Sequence, residues 1–220
     1  MPLIYSIEKK DNYFIILWDV LEKEIEVFSS LYLGFLSENE QEILLKLGPK
    51  RKKEFLGIRY ILKHFYPELN LRLSYNEKGA PFFINAPLPL THLSISHSNG
   101  KIALGISKYK IGIDIQERKK KQITRIQKKF IRKDEHTFID PLYQTEQLHI
   151  IWGVKESLYK LTNGHLIGFL KNYKVLPFNL DQNEVRCQII STSSIDYTLK
   201  ARYKIIGDHF LVYVINNKEK

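Results

Sequence analysis

The chain has 220 residues, 44% of them hydrophobic and 12% aromatic, enough for one large or two small cores and too apolar for a disordered segment. Thirty-four Lys and Arg against 24 Asp and Glu leave a net charge of +10, which favours anionic partners: phosphates, acidic proteins or nucleic acid. The single cysteine, Cys187, excludes an internal disulfide and a cysteine-rich metal cluster, and no apolar run approaches the ~20 residues of a membrane span.

Residues 1–10 lack the basic and apolar regions of a signal peptide, so the chain reads as cytoplasmic. Tyr13 to Val20 is a strand candidate. Ser37 with Glu40 forms a capping box ahead of Ile43, Leu44 and Leu47, and Gly48-Pro49 stops that helix. Lys50 to Tyr66 reads as a second helix, with Phe55, Ile58, Leu62 and Phe65 as its apolar stripe and Pro67 as its end. Leu71 to Tyr75, Phe82 to Ile84 and Leu93 to Ser96 are short strands. Ile102 to Ser107 and Ile111 to Ile115 read as a hairpin around Lys108-Tyr109-Lys110. Helical segments follow from about residue 117 to 139. A long helix runs from about Thr145 to Leu161, with Asn163-Gly164 as its C-terminal cap. Tyr173 to Asn216 is strand-rich, with Gly207-Asp208 as a hairpin turn. Cys187 lies in an alternating segment, Val185 to Ile190, where a packed or half-exposed thiol is expected rather than a nucleophile. Each half offers a substantial helix and about three strands, which makes the class α+β. A soft boundary divides residues 1–108 from 109–220; no repeat and no Pro/Gly/Ser-rich linker marks it.

Two stretches carry the chemistry. In Gly112-Ile113-Asp114-Ile115-Gln116 the alternation puts Asp114 and Gln116 on one strand face and the isoleucines on the other. In Trp152-Gly153-Val154-Lys155-Glu156-Ser157-Leu158-Tyr159-Lys160, helical spacing stacks Trp152, Glu156 and Lys160 along one face. Oxygen ligands on a strand opposite a carboxylate and an ammonium on a helix suit a hard cation and a phosphate. The plainer alternative is a strand-edge Asp and a solvated Glu, with Lys160 in an i,i+4 ion pair to Glu156 worth about 0.2–0.5 kcal/mol. Lys155 leaves the helix ~100° from Glu156 and is expected at solvent or a phosphate rim; Trp152 is expected in the core.

These two stretches resemble the signature of the 4′-phosphopantetheinyl transferases, G-[IV]-D-x-E followed by W-x-x-K-E-[AS]-x-x-K. A third block agrees in order and spacing: Ser94-Ile95-Ser96-His97-Ser98, where that family carries S-x-S-H-S. Weaker matches lie at Arg51 to Arg59 and Asn76 to Pro81. The resemblance implies two similar α+β subdomains related by a pseudo-twofold, each a small, mostly antiparallel sheet with a long helix. The length fits the surfactin-synthetase-activating, pseudo-dimeric type, a monomer, rather than the short trimeric holo-acyl-carrier-protein synthase type. It implies Mg²⁺-dependent transfer of 4′-phosphopantetheine from coenzyme A to a serine of an acyl or peptidyl carrier protein, releasing adenosine 3′,5′-bisphosphate. By the same resemblance Asp114, Gln116 and Glu156 hold Mg²⁺, Glu156 is the base and Lys160 faces the phosphate. His97, Ser96, Lys78, Arg51 and Lys53 are then the coenzyme A contacts, Arg51 and Lys53 toward the 3′-phosphate. Gln116 stands where many members have Glu. An amide oxygen can ligate or hold a ligating water but adds no charge. Glu117 points to the opposite strand face. A catalytically impaired protein that binds coenzyme A or carriers is therefore the alternative, and a basic nucleic-acid-binding protein is another.

Residues 118 to 133 hold nine Lys and Arg among sixteen and no acidic residue. A solvated helix face, a nucleic-acid patch and a dock for an acidic protein are the three readings. No aromatic interleaving or zinc spacing supports a nucleic-acid module, and carrier proteins are typically acidic, so the dock agrees with the resemblance. Arg125, Lys128, Lys129 and Arg132 are its expected contacts.

Overall fold

In the computed structural model, which describes residues 3–9, 12–20, 36–67, 71–85, 89–191 and 194–217, alternation along the central strands decides the layering. The first half runs β1 (Leu3–Lys9), β2 (Tyr13–Asp19), α1 (Glu38–Lys46), α2 (Pro49–Phe65), β3 (Leu73–Tyr75), β4 (Pro81–Phe83), β5 (His92–Ser98) and β6 (Lys101–Ser107). The second runs β7 (Lys110–Glu117), α3 (Lys120–Ile126), α4 (Gln144–Leu161), α5 (Phe169–Asn172), β8 (Tyr173–Val175), β9 (Glu184–Ser191), β10 (Ser194–Ile206) and β11 (His209–Asn216). Two antiparallel sheets result, ordered β1-β2-β6-β5 and β7-β11-β10-β9-β8, with β3 and β4 paired separately. The class is α+β, as expected.

Even positions of β2 and β6 (Phe14, Ile16, Trp18; Ile102, Leu104, Ile106) pack on Ile58, Ile61 and Leu62 of α2. Odd positions (Ile15, Leu17, Ala103) turn the other way, onto Ile111, Ile113 and Ile115 of β7 and Leu211 and Tyr213 of β11. The opposite faces of those strands (Phe210, Val212, Val214) meet Leu148, Ile151, Val154, Leu158 and Leu161 of α4. The sheets thus lie back to back with one long helix outside each. Each fully buried Ile or Leu contributes about 1.5–3 kcal/mol, so the period-2 pattern fixes which face of β7 is free to carry Asp114. The expected alternation of its isoleucines and polar residues is realised.

Local signals hold at most ends. Ser37 caps α1: its hydroxyl accepts the Glu40 N–H at 3.4 Å while Glu40 accepts the Ser37 N–H at 3.0 Å. Asn163 and Gly164 close α4 with positive φ (51° and 66°), and Gly207 (φ 58°) turns β10 into β11. The expected hairpin around Lys108-Tyr109-Lys110 does not form. Instead β6 pairs with β5 and β2, and β7 pairs with β11. Asn99-Gly100 (φ 44° and 77°) makes the β5–β6 turn, the left-handed pair that hairpins favour. The chain changes sheet between Ser107 and Lys110.

Two glycines let α4 lie close on the second sheet. A Cβ on Gly112 would sit 1.8 Å from the Ser157 carbonyl oxygen, and one on Gly153 would sit 2.6 Å from Val212 Cγ2.

Candidate functional site

Where the two sheets meet, edge strands β5 and β7 run side by side without a backbone ladder. Serines replace it. Ser94 Oγ accepts the Ile113 N–H at 3.0 Å, Ser98 Oγ accepts the Glu117 N–H at 3.0 Å, and Ser96 Oγ donates to Asp114 Oδ1 at 3.0 Å. The alternation Ser94-x-Ser96-x-Ser98 puts all three hydroxyls on one strand face, turned toward β7, whereas the resemblance makes Ser96 a coenzyme A contact. Ser96 is buried on the β7 side, and His97 faces α2.

Asp114 is buried, and Lys160 of α4 reaches it: Nζ donates to Oδ1 at 3.2 Å and to the Ile113 carbonyl at 2.7 Å. The expected alternative partner of Lys160, Glu156, is not its partner. Among the described residues nothing hydrogen-bonds the Glu156 carboxylate. Burial first, then the charge of Asp114, push the Glu156 pKa up to about 7 although Lys160 opposes them. Burial also raises Asp114, against the pull of Lys160 and the Ser96 hydroxyl. Gln116 lies between Asp114 and α4. Its Nε2 donates to Asp114 Oδ2 at 3.3 Å and to the His149 carbonyl at 2.8 Å.

A second cluster lies on α2. Glu54, buried to 4% exposure, accepts from Arg51 Nη1 at 3.1 Å, and its other oxygen faces His97 Nδ1 at 3.2 Å. Arg51 Nη1 lies 2.8 Å from His97 Nε2. An arginine can only donate, so Nε2 accepts and the ring proton is on Nδ1, toward Glu54. Burial, with Arg51 and Lys160, lowers the His97 pKa while Glu54 pulls it up; the ring is neutral. Glu54 was not anticipated; its i,i+3 spacing from Arg51 was the available signal.

Lys160 of the first cluster and Arg51, Glu54 and His97 of the second line two adjoining hollows, while Asp114 and Glu156 line neither. A hollow of about 630 Å³, lined by Arg51, Glu54, His97 and the apolar Ile43, Phe55 and Tyr75, adjoins one of about 200 Å³ lined by Lys78, Tyr159 and Lys160; Gly79, Pro81 and Ile95 belong to both. Lys78 sits on the β3–β4 turn and its Nζ donates to His165 Nδ1 at 3.1 Å, joining the halves across the cleft. Lys53 lines neither hollow, since two residues of helix turn it ~200° from Arg51.

The expectation for Lys155 is corrected. Lys155 is not at solvent: it is fully buried, donating to Glu135 at 2.7 Å and to the Phe130 carbonyl at 2.5 Å. Burial lowers its pKa to about 8 against the pull of Glu135. Arg132, partly exposed, is bonded to Asp134 at 3.1 Å and to the Leu170 carbonyl at 2.6 Å. Lys120, Lys121, Arg125, Lys128, Lys129 and Lys133 are exposed.

No trio of His, Cys, Asp or Glu side chains placed to hold a metal occurs among the described residues. Two carboxylates remain, one of them proton-hungry and unbonded. With phosphate oxygens and water they suit Mg²⁺, which is commonly held by one or two carboxylates plus substrate phosphates.

The profile of the 4′-phosphopantetheinyl transferase superfamily matches residues 110–213, the stretch that carries Asp114, Glu156 and Lys160. Over those residues the chain is similar to that superfamily. It is 28% identical over 139 residues to the 4′-phosphopantetheinyl transferase Sfp of Bacillus subtilis (strain 168), covering 59% of this chain and 61% of that relative's length. It is also 28% identical over 90 residues to a holo-[acyl-carrier-protein] synthase of Bacillus cereus (strain B4264), 36% of this chain and 76% of the relative. The match to Sfp is the longer of the two, and the chain spans under two thirds of that relative's length. No helix among the described residues is long and apolar enough to cross a membrane.

Proposed function

We propose that the protein is a Mg²⁺-dependent 4′-phosphopantetheinyl transferase. It acts as a monomer in the cytoplasm, moving 4′-phosphopantetheine from coenzyme A to a serine of an acidic acyl or peptidyl carrier protein. The observation that carries this is the unbonded Glu156 carboxylate beside Asp114 and Lys160. The carrier serine oxygen attacks the phosphorus that bears pantetheine, and its proton passes to Glu156 as general base. The bond to the other phosphate breaks and adenosine 3′,5′-bisphosphate leaves, its charge offset by Lys160. Mg²⁺, when held by Asp114 and Glu156, supplies neutralisation of the pyrophosphate. Arg51, His97 and Lys78 line the cleft where the nucleotide end lies, and the boundary near residue 108 separates two halves related by a pseudo-twofold. Positioning and charge neutralisation carry most of the rate.

Incubation with coenzyme A, Mg²⁺ and a panel of apo carriers, followed by mass spectrometry, tests this. One carrier gains the mass of a phosphopantetheine and adenosine 3′,5′-bisphosphate appears in equal amount. Binding of coenzyme A without any mass gain across the panel overturns the transferase reading.

A further inference from the structure

The departure at Gln116 has a partner that no motif singles out. His149, on the first half of α4, is 2% exposed and stacks on Phe210 with ring centroids 4.7 Å apart and planes at 8°. Its Nε2 accepts the Lys119 N–H at 3.1 Å. A backbone N–H can only donate, so Nε2 carries no proton and the ring proton is on Nδ1. That Nδ1 faces Gln116 Oε1 at 2.8 Å and donates to it. The carbonyl of the same residue accepts from Gln116 Nε2 at 2.8 Å. A carbonyl can only accept, so it orients the amide independently of the ring: oxygen toward His149, nitrogen toward Asp114. The glycine at 153 provides the room, because a Cβ there would stand 3.1 Å from Gln116 Nε2.

We infer that His149 is a positioning residue that turns Gln116 into a hydrogen-bond relay to Asp114 instead of an oxygen ligand. This rests on the transferase reading above for its consequence, and on the hydrogen bonds alone for its geometry. Each carboxylate oxygen has about two lone pairs. Oδ1 of Asp114 accepts from Ser96 and Lys160, Oδ2 accepts from Gln116, and the Ile115 N–H also bonds the carboxylate. The relay thus holds the carboxylate plane from the Oδ2 side, as Ser96 and Lys160 hold it from Oδ1. A third carboxylate at residue 116 would face the His149 carbonyl and Asp114 Oδ2, both acceptors. The site is therefore built for two carboxylates, with the amide as a matched part rather than a weakened ligand.

Long-range ¹H–¹⁵N spectra of the histidine-labelled protein test the relay without any turnover. His149 should show the Nδ1–H tautomer, with a slowly exchanging proton that is lost in Gln116→Ala. Mn²⁺ binding, measured by calorimetry and electron paramagnetic resonance with coenzyme A present, tests the consequence. His149→Phe keeps the stacking and should weaken Mn²⁺ by about 10- to 100-fold, as loss of an outer partner does. Gln116→Ala should match it, and the double variant should be no worse than either single one. Gln116→Glu should bind Mn²⁺ no more tightly than wild type and should melt lower. An Nε2–H tautomer, additive losses in the double variant, or tighter Mn²⁺ in Gln116→Glu at unchanged melting temperature would each overturn the relay. A wild-type protein with the Nδ1–H tautomer and no turnover would sink the transferase reading and leave the relay standing.

Discussion

Glu156 is the residue whose surroundings work against its charge. Its folded pKa of about 7 lies above the ordinary 4.5, so the metal-free fold binds the proton more tightly than the unfolded chain does. The stabilisation is complete below pH 4.5 and is lost as pH rises through 7, at a cost of roughly 3 kcal/mol. Glu156→Gln should remove that slope. In the presence of chelator at pH 8 it should be more stable than wild type by that amount, and at pH 4 the two should be alike, while transfer to any carrier is abolished. Urea unfolding of both proteins across this range, with turnover assayed alongside, checks it. Equal stability at pH 8 or near-normal turnover would mean that Glu156 is not the strained base. His149 has the opposite sign: burial lowers its pKa to about 4 from 6.5, so its contribution is present above 6.5 and lost as pH falls toward 4. That slope is common to both proteins and cancels in their difference.

At the scale of elements, α4 is the part on which the site depends, and it is fixed from two sides. On the sheet side, Gly112→Ala would drive a Cβ into the Ser157 carbonyl, a backbone atom no rotamer change can move away. Displacement of α4 should cost at least about 1–3 kcal/mol and should lower turnover by more than it lowers stability, because Glu156 and Lys160 shift with the helix. Thermal melting and steady-state kinetics of the variant decide this. On the other side, the buried Lys155–Glu135 pair ties α4 to the loop after α3 and to β8, since Glu135 also accepts the N–H groups of Arg132 and Val175, both at 2.8 Å. Lys155→Met alone should cost about 3–5 kcal/mol by leaving Glu135 buried and unpaired, and Lys155→Met with Glu135→Gln should recover much of it. Chemical denaturation of the two variants separates a paired charge from mere packing.

Much of this scale was legible in the sequence: the capping box at Ser37 and Glu40, the span of α4 with its Asn163-Gly164 cap, and the two-faced strand of Asp114. The misreadings share one cause, which is that partners distant in sequence leave no local trace. β7 was joined to its neighbour β6 when its partner β11 lies about a hundred residues on. Lys155 was placed by angle alone, without Glu135. β1 escaped because its alternation of half-buried and exposed positions makes a faint edge-strand pattern. Asp114, Glu156 and Lys160 were singled out because short motifs carry them. Glu54 and His149 were not, because their significance lies only in what they touch.

For the whole molecule, the net charge of +10 is concentrated where the chain leaves β7 for α4. We propose that the exposed cations of this stretch steer an acidic carrier. Exposed charges are screened beyond ~10 Å at 0.1 M salt and affect encounter more than chemistry. Exchange of Lys128 and Lys129 for Glu should raise the carrier KM several-fold and leave kcat and the KM for coenzyme A in place. Added salt should weaken the wild type more than the variant. Kinetics at two salt concentrations check it, and an unchanged carrier KM would exclude a dock at these residues.

The serine-bridged edge between β5 and β7 has a consequence for breathing of the native state. The only hydrogen bonds across it are to side chains, and one of them grips Asp114. Local opening that separates these edges breaks no strand–strand ladder, so the amides of Ile113 and Glu117 should exchange with solvent sooner than those facing β11. Ser94→Ala should speed exchange at Ile113 by roughly ten- to a hundredfold, from the ~1–3 kcal/mol of an orphaned buried donor. The same opening frees Asp114 from Ser96 while Lys160 stays with β7. The reaction centre would thus come apart along a different line from the one along which the protein unfolds, and saturating coenzyme A, bridging both halves, should close that line and slow exchange at both amides together.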